Sequence, residues 1–331
     1  MKLKVNFLII LFLSLLVLNG YSADKFKFNN KRVTYAELDY GYPIKTLDLG
    51  GNYGKVAYID TERGTKTFVM LHGIGSYTKH WIHQMKALQP EYRIVALDMP
   101  GYGKSGFSAR TAYNIQFHGN AVWTFINKLK LKNVILAGHS YGANVVIEMS
   151  SYSQLDLLGM VLVAPQGLQD LSYQDYSYYD SNLPSLLKYD FDISANIDVW
   201  FDFLIKKRTP VTDEFLQELL GLIHSGDYRG TATVRERVLL FQQKKRYNKK
   251  LIWKFLKFKK PILLVMGEND KLVPGFEPSK MRAPTPKEFF PSLVKKNPQC
   301  KLIFIEDCGH MVPIEYPNEL SEMMKKFASS L

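Results

Sequence analysis

Cysteine is scarce in this chain of 331 residues: there are two, Cys300 and Cys308. The stretch between them, "KLIFIED", has the composition of a strand, which at about 3.3 Å per residue holds the sulfurs roughly 20 Å or more apart. A disulfide needs Cα atoms within about 7 Å. Two unpaired thiols are therefore expected, and a cysteine-stapled scaffold is excluded. Low-complexity tracts and internal periods are also missing, which excludes a solenoid. The apolar run from Phe7 to Leu18 falls short of the roughly 20 residues that span a bilayer comfortably. It follows Lys2 and Lys4 and leads into Gly20 and Ser22, the pattern of an export segment cut after Ser22. The mature protein is then periplasmic or secreted, or anchored through residues 5–18 if the segment is retained. No cysteine follows the run to carry a lipid.

Acidic residues are outnumbered, 31 against 43 basic, for a net charge of +12. Loss of Lys2 and Lys4 would lower this to +10, a surplus that favours anionic surfaces. Much of it is local. Residues 244–260, "KKRYNKKLIWKFLKFKK", hold nine basic residues and no acid. Helical spacing puts Arg246, Lys250, Lys254 and Lys257 near one face and Leu251, Ile252, Phe255 and Leu256 near the other. That is the pattern of a surface helix packed on a sheet. With Trp253 it also suits peripheral contact with an anionic membrane. No nucleic-acid partner is expected.

What is present is a globular balance, with 46% hydrophobic and 22% charged residues. Apolar, β-branched runs recur as "KVAYI" at 55, "KTFVMLHG" at 66, "RIVALD" at 93, "NVILAGHS" at 133, "GMVLVAP" at 159, "PILLVMG" at 261 and "KLIFIED" at 301. Most lack polar alternation, as strands buried on both faces do. Helix-like segments such as "WIHQMKALQ" and "AYNIQFHGNAVWTFINKLK" lie between them, so a mostly parallel, doubly wound α/β sheet is expected. Between Pro165 and Pro261 no strand is evident. Residues 168–250 read as an inserted helical cap between core segments 23–167 and 251–331. Within it, "TDEFLQELLGLIHSG" is a helix with Thr212 as its expected cap and Gly226 after its end. Tyr173, Tyr176, Tyr178, Tyr179 and Tyr189 crowd the start of the cap, as cavity lining or as cap core.

In "NVILAGHSYGANVV", Gly138 and Gly142 flank Ser140 between a strand and a helix. A turn of this kind forces the serine into a strained backbone and lifts its hydroxyl to the carboxyl edge of the sheet, where open α/β sheets bind ligands. A serine nucleophile needs a base and a group to orient that base. His310, in "EDCGHMVPIEYP", follows a predicted strand. His72 and His139 sit within turns, and His80, His83, His118 and His224 lie on helix-like stretches. Asp270, ending "ILLVMGEND", is the candidate acid, with Asp170, Glu268 and Asp307 as rivals. The amide of Tyr141 and that of Ile74 in "MLHGIGS" are candidate oxyanion donors, and Gly73 lines the same turn.

The set "LHGIGS" with Trp81 downstream, "ALDMPGYGKS", "GHSYG", "GEND" and "CGHMVPIEYP", in that order, resembles the α/β-hydrolase superfamily over roughly residues 35–328. The resemblance implies Ser140 as nucleophile, Asp270 as acid, His310 as base and the Ile74 and Tyr141 amides as the oxyanion hole. Gly73, Tyr176, Tyr178 and Tyr179 are then candidate substrate contacts, and Asp98 in "LDMPGYGKS" is a structural turn residue. Serine at 140 separates the chain from relatives with an aspartate nucleophile. The stretch from Leu272 to Pro298 looks longer than the usual link from acid to histidine. The leading reading is a serine esterase or lipase acting on an apolar acyl or aromatic ester, with neither metal nor organic cofactor required. A carbon-carbon bond hydrolase or small peptidase on the same triad is the alternative, and a non-catalytic lipid-binding protein of this fold is a third.

Overall fold

The computed structural model describes residues 29–331 with the exception of 30, 153, 171, 173, 176, 178–200, 202, 243–244, 276–277 and 281. The expected export segment at residues 1–22 lies outside the described residues, as do Tyr173, Tyr176, Tyr178, Tyr179 and Tyr189.

Eight strands form one sheet: β1 (Lys45–Asp48), β2 (Lys55–Asp60), β3 (Thr67–Leu71), β4 (Arg93–Leu97), β5 (Val134–His139), β6 (Leu157–Val163), β7 (Ile262–Gly267) and β8 (Cys300–Ile305). Their spatial order is β1-β2-β4-β3-β5-β6-β7-β8. The pairs β1/β2 and β2/β4 are antiparallel, and every pair from β4/β3 to β7/β8 is parallel. All seven apolar runs are strands. The one strand without such a run is β1, whose alternately exposed "KTLD" pairs only with β2 at the sheet's edge. An edge strand with one solvated face has no need of an apolar sequence.

Side chains on the central strands alternate between two cores, as the pleat requires. Val69, Leu71, Leu136 and Leu162 face one layer; Phe68, Met70, Ile135 and Val161 face the other. Helices α1 (Ile82–Leu88), α2 (Ile115–Lys128) and α3 (Tyr141–Met149) follow β3, β4 and β5. The α2 start is explained by Asn114, whose side chain accepts from the Phe117 amide.

The interval between β6 and β7 contains α4 (Pro210–Ser225), α5 (Arg229–Gln242) and α6 (Lys245–Lys257). Thr212 does not cap α4. The cap is Thr209, with Pro210 in the first turn, and Thr212 is its reciprocal partner: each side-chain oxygen accepts from the other's amide. Pro210 pre-sets the helical φ, so the helix begins earlier than the charged "TDE" suggests. Gly226 ends it at φ 81°, a left-handed position that glycine adopts without strain. Position 250 falls inside α6, whose Leu251 and Phe255 join the core above the sheet. Lys254 on α6 is ion-paired at 2.7 Å with Glu148 of α3. On α6, Lys249, Lys250, Trp253 and Lys257 are exposed. No helix among the described residues is long and apolar enough to cross a membrane.

After β7 come α7 (Pro286–Val294), β8, the single turn α8 (Val312–Glu315) and α9 (Pro317–Ser329). The long link from Leu272 to Pro298 thus holds a capped helix, started by Thr285 with Glu288, and is tied to the start of the insertion. Gln169 exchanges two hydrogen bonds with Gly275, and Asp175 accepts from the Ser279 amide. Cys300 and Cys308 are free thiols.

Candidate active site

The chain steps from β3 to β4 on one side and returns to β5 on the other. The strand order therefore reverses between β3 and β5, and the crevice at such a point lies beyond the strands' carboxyl ends. Leu71 pairs with Gly138 there, so the residues that follow, His72-Gly73 and His139-Ser140, emerge side by side. A Cβ on Gly73 would sit 3.0 Å from His139 Nδ1 and 3.4 Å from the Ser140 Cβ.

Ser140 adopts φ 52° and ψ −117° between β5 and α3, a conformation that costs a residue with a Cβ on the order of 1–3 kcal/mol. Its surroundings impose that backbone. The Ser140 amide donates to Val163 O on the neighbouring strand at 2.8 Å, and its carbonyl accepts from Ala143 and Asn144. The flanking glycines are required by close approach. A Cβ on Gly138 would run into the backbone of Gly142 and Ala143, and one on Gly142 into the carbonyls of Leu71 and His72. Ser140 is buried, as is Tyr141, which opens α3. Ile74 is half-buried in the turn after β3.

Asp270 lies just past the end of β7 and His310 past the end of β8. His310 Nδ1 is 2.8 Å from Asp270 Oδ2, and both side chains are almost fully buried. Asp270 Oδ1 accepts from the amides of Leu272 and Val273 at 2.8 and 2.9 Å. A carboxylate oxygen accepts, so Nδ1 donates in this hydrogen bond. His139 links this pair to the serine turn: its Nε2 donates to the His310 carbonyl at 2.9 Å, and the two rings are 5.0 Å apart.

The rival acids are engaged elsewhere. The Asp170 side chain is 68% exposed beside Lys249, Glu268 is ion-paired with Lys287, and Asp307 is exposed near Lys206. Two other buried histidines bond within the core. His72 Nε2 accepts from the Met99 amide, and His118 bridges the Tyr141 hydroxyl and Pro100 O. Burial drives the imidazoles of His72 and His118 down to about 4 and that of His80 to about 3. His80 stacks on His139 at 4.7 Å. Asp98 is fully buried and accepts from Tyr40 Oη and the amides of Thr78 and Lys104, as a turn residue should. Among the described residues no group of three or more His, Cys, Asp or Glu side chains is arranged to hold a metal ion.

A family profile described as the alpha/beta hydrolase fold matches residues 66–200. A probable hydrolytic enzyme from Pseudomonas aeruginosa PAO1 superposes with a TM-score of 0.75 at 19% identity, covering 90% of this chain and 98% of its own. The chain has the alpha/beta hydrolase fold. Among curated proteins, the chain is similar to monoacylglycerol lipase abhd6-A of Xenopus laevis, 24% identical over 298 residues, covering 85% of this chain and 81% of the relative. It is also similar to the dihydrolipoyllysine-residue acetyltransferase component of the acetoin cleaving system of Pseudomonas putida, 23% identical over 300 residues, covering 88% of this chain and 71% of that protein.

One buried carboxylate beside the site escaped the sequence reading. Glu315, five positions after His310, accepts from the amides of Lys206, Lys207, Gly309 and Met311 at 2.8 to 3.1 Å. Burial pushes its carboxyl up from the ordinary range, and these amides pull it back. Its only signal in the sequence is an acid set within the apolar stretch "MVPIEYP".

Proposed function

We propose that the protein is an exported serine hydrolase of the carboxylesterase or lipase kind, acting on esters with an apolar acyl or aromatic part. The observation that carries this reading is a strained, buried Ser140 in the turn beside an Asp270-oriented His310. In the proposed reaction the Ser140 hydroxyl attacks the ester carbonyl carbon while His310 Nε2 takes its proton. The amides of Ile74 and Tyr141 stabilise the developing oxyanion. The tetrahedral adduct collapses, His310 protonates the departing alcohol, and an acyl-serine remains. Water then attacks this ester with His310 again as base, releasing the carboxylic acid and restoring Ser140. Asp270 keeps Nδ1 protonated so that Nε2 can act.

Similarity to a protein named as a monoacylglycerol lipase supports a lipid-like ester as the substrate class. Residues 168–250 are proposed to roof the site, with Gly73, Tyr176, Tyr178 and Tyr179 as substrate contacts. Export rests on the Lys2, Lys4, Phe7–Leu18 and Ser22 pattern. N-terminal sequencing of purified native protein should begin at Ala23, and a start at Met1 would refute cleavage. The exposed basic face of α6, with Trp253 at 58% exposure, is proposed to touch anionic membrane surfaces.

The test is a panel of p-nitrophenyl esters graded by acyl length, run on wild type, Ser140→Ala and His310→Ala. Turnover lost in both variants supports the reading. Retained turnover in Ser140→Ala overturns it.

A further inference from the structure

Both polar groups of the His310 peptide are used, and by different parts of the chain. Its N–H donates to the Leu204 carbonyl at 2.7 Å, and its C=O accepts from His139 Nε2 at 2.9 Å. Leu204 belongs to the insertion between β6 and β7. The amides on either side of His310, those of Gly309 and Met311, both donate to Glu315, and so do the amides of Lys206 and Lys207 from the insertion. Four backbone donors from two segments thus converge on one carboxylate that is 3% exposed.

Apolar packing follows the same path. Met311 and Ile314 of the histidine loop share a small core with Phe201, Ile205, Leu216 and Leu220 of the insertion. Contact is close enough to dictate residue 309, because a Cβ there would lie 2.6 Å from Leu204 O and 2.8 Å from Lys206 N. Glycine is the residue that lets the two segments touch.

We propose that Glu315 is a positioning residue: it clamps the histidine loop to the Leu204–Lys207 stretch, so the placement of the His310 imidazole depends on the backbone of the insertion. This rests on the reading of His310 as the proton carrier. A carboxylate suits the task because both oxygens only accept, giving about four lone-pair sites for four amides. Glutamine in its place would aim an NH2 group at backbone donors and lose half of the clamp. The insertion is then part of the proton-transfer machinery as well as a roof, since a loop freed by about 1 Å takes the imidazole out of reach of the serine.

The experiment compares wild type, Glu315→Gln, Glu315→Asp and Lys206→Pro in hydrolysis of p-nitrophenyl acetate, with folding checked by circular dichroism and thermal melting. Wild type must be active and Ser140→Ala inactive; failure at that step refutes the hydrolase reading itself. Glu315→Gln is expected to lower kcat by about 100-fold with KM changed little, and to weaken the far-downfield proton resonance of the His310–Asp270 hydrogen bond. Glu315→Asp, still acceptor-only, should recover part of both. If Glu315→Gln does not fold, Lys206→Pro decides, because it deletes one insertion amide of the clamp at a residue whose side chain is exposed, and it should still lower kcat by about 10-fold. Folded Glu315→Gln with wild-type kcat and resonance overturns the proposal, as does Lys206→Pro with unchanged kcat where it alone is readable.

Discussion

His310 and Asp270 are joined at 2.8 Å through one carboxylate oxygen, while the other oxygen is occupied by the amides of Leu272 and Val273. The carboxylate is therefore fixed by its own backbone before it meets the imidazole, and it holds one tautomer of the ring. Asp270→Asn would present an amide that favours the opposite tautomer. Turnover of p-nitrophenyl esters should fall by about 10⁴-fold with the fold intact. Asp170→Asn, at a side chain 68% exposed, should leave kcat near wild type. The reverse ranking in steady-state kinetics would refute the assignment of the acid.

Strain at Ser140 separates stability from activity. At φ 52° a Cβ is unfavourable, so Ser140→Gly removes strain that Ser140→Ala keeps. Glycine returns part of the gain through the unfolded chain's entropy. Calorimetry should find the glycine variant more stable than the alanine variant by about 1 kcal/mol, with both inactive. Equal melting temperatures would mean that the strain is no larger than glycine's entropic cost.

Acid should destabilise the protein through its buried histidines. In the folded state His72 and His118 take up protons only near about 4, and His80 only near about 3, because burial disfavours the charged ring. Unfolded histidines bind protons near 6.5. The unfolded state holds more protons below that value, so stability is full above about pH 6.5 and falls as pH drops toward 4. Each such histidine adds a slope of about 1.4 kcal/mol per pH unit. His118→Gln should flatten the dependence measured by chemical denaturation by about that amount. An unchanged slope would show that His118 is charged in the native protein.

The exposed face of α6 predicts binding to anionic but not zwitterionic vesicles, weakened by salt. Trp253→Ala combined with Lys250→Glu and Lys257→Glu should reduce co-sedimentation at least about 10-fold while leaving hydrolysis of soluble esters unchanged. Equal binding to both vesicle types would contradict an electrostatic contact.

The strands from β2 to β8 were legible because each holds a short apolar run, and β1 was not because its four residues, "KTLD", alternate between exposed and half-buried and hold no such run. Gly138, Ser140 and Gly142 were legible because close backbone approach leaves few residue choices. Asp270 and His310 were readable as strand-end residues, yet their 2.8 Å contact depends on how β7 and β8 lie side by side, which no local pattern encodes. Glu315 was missed for a related reason: its partners lie at Lys206, Lys207, Gly309 and Met311, and backbone amides leave no trace in side-chain identity. The start of α4 moved from Thr212 to Thr209 because either threonine can cap and only the fold shows which amide each one meets.

The central claim is that Ser140 is a nucleophile activated by His310. The most direct measurement is intact-mass and peptide mapping of the protein after reaction with a fluorophosphonate. A single adduct on the peptide containing Ser140, absent in Ser140→Ala and strongly slowed in His310→Ala, is the predicted result. A folded wild-type protein that forms no adduct, or one that forms it at another residue, would contradict the account.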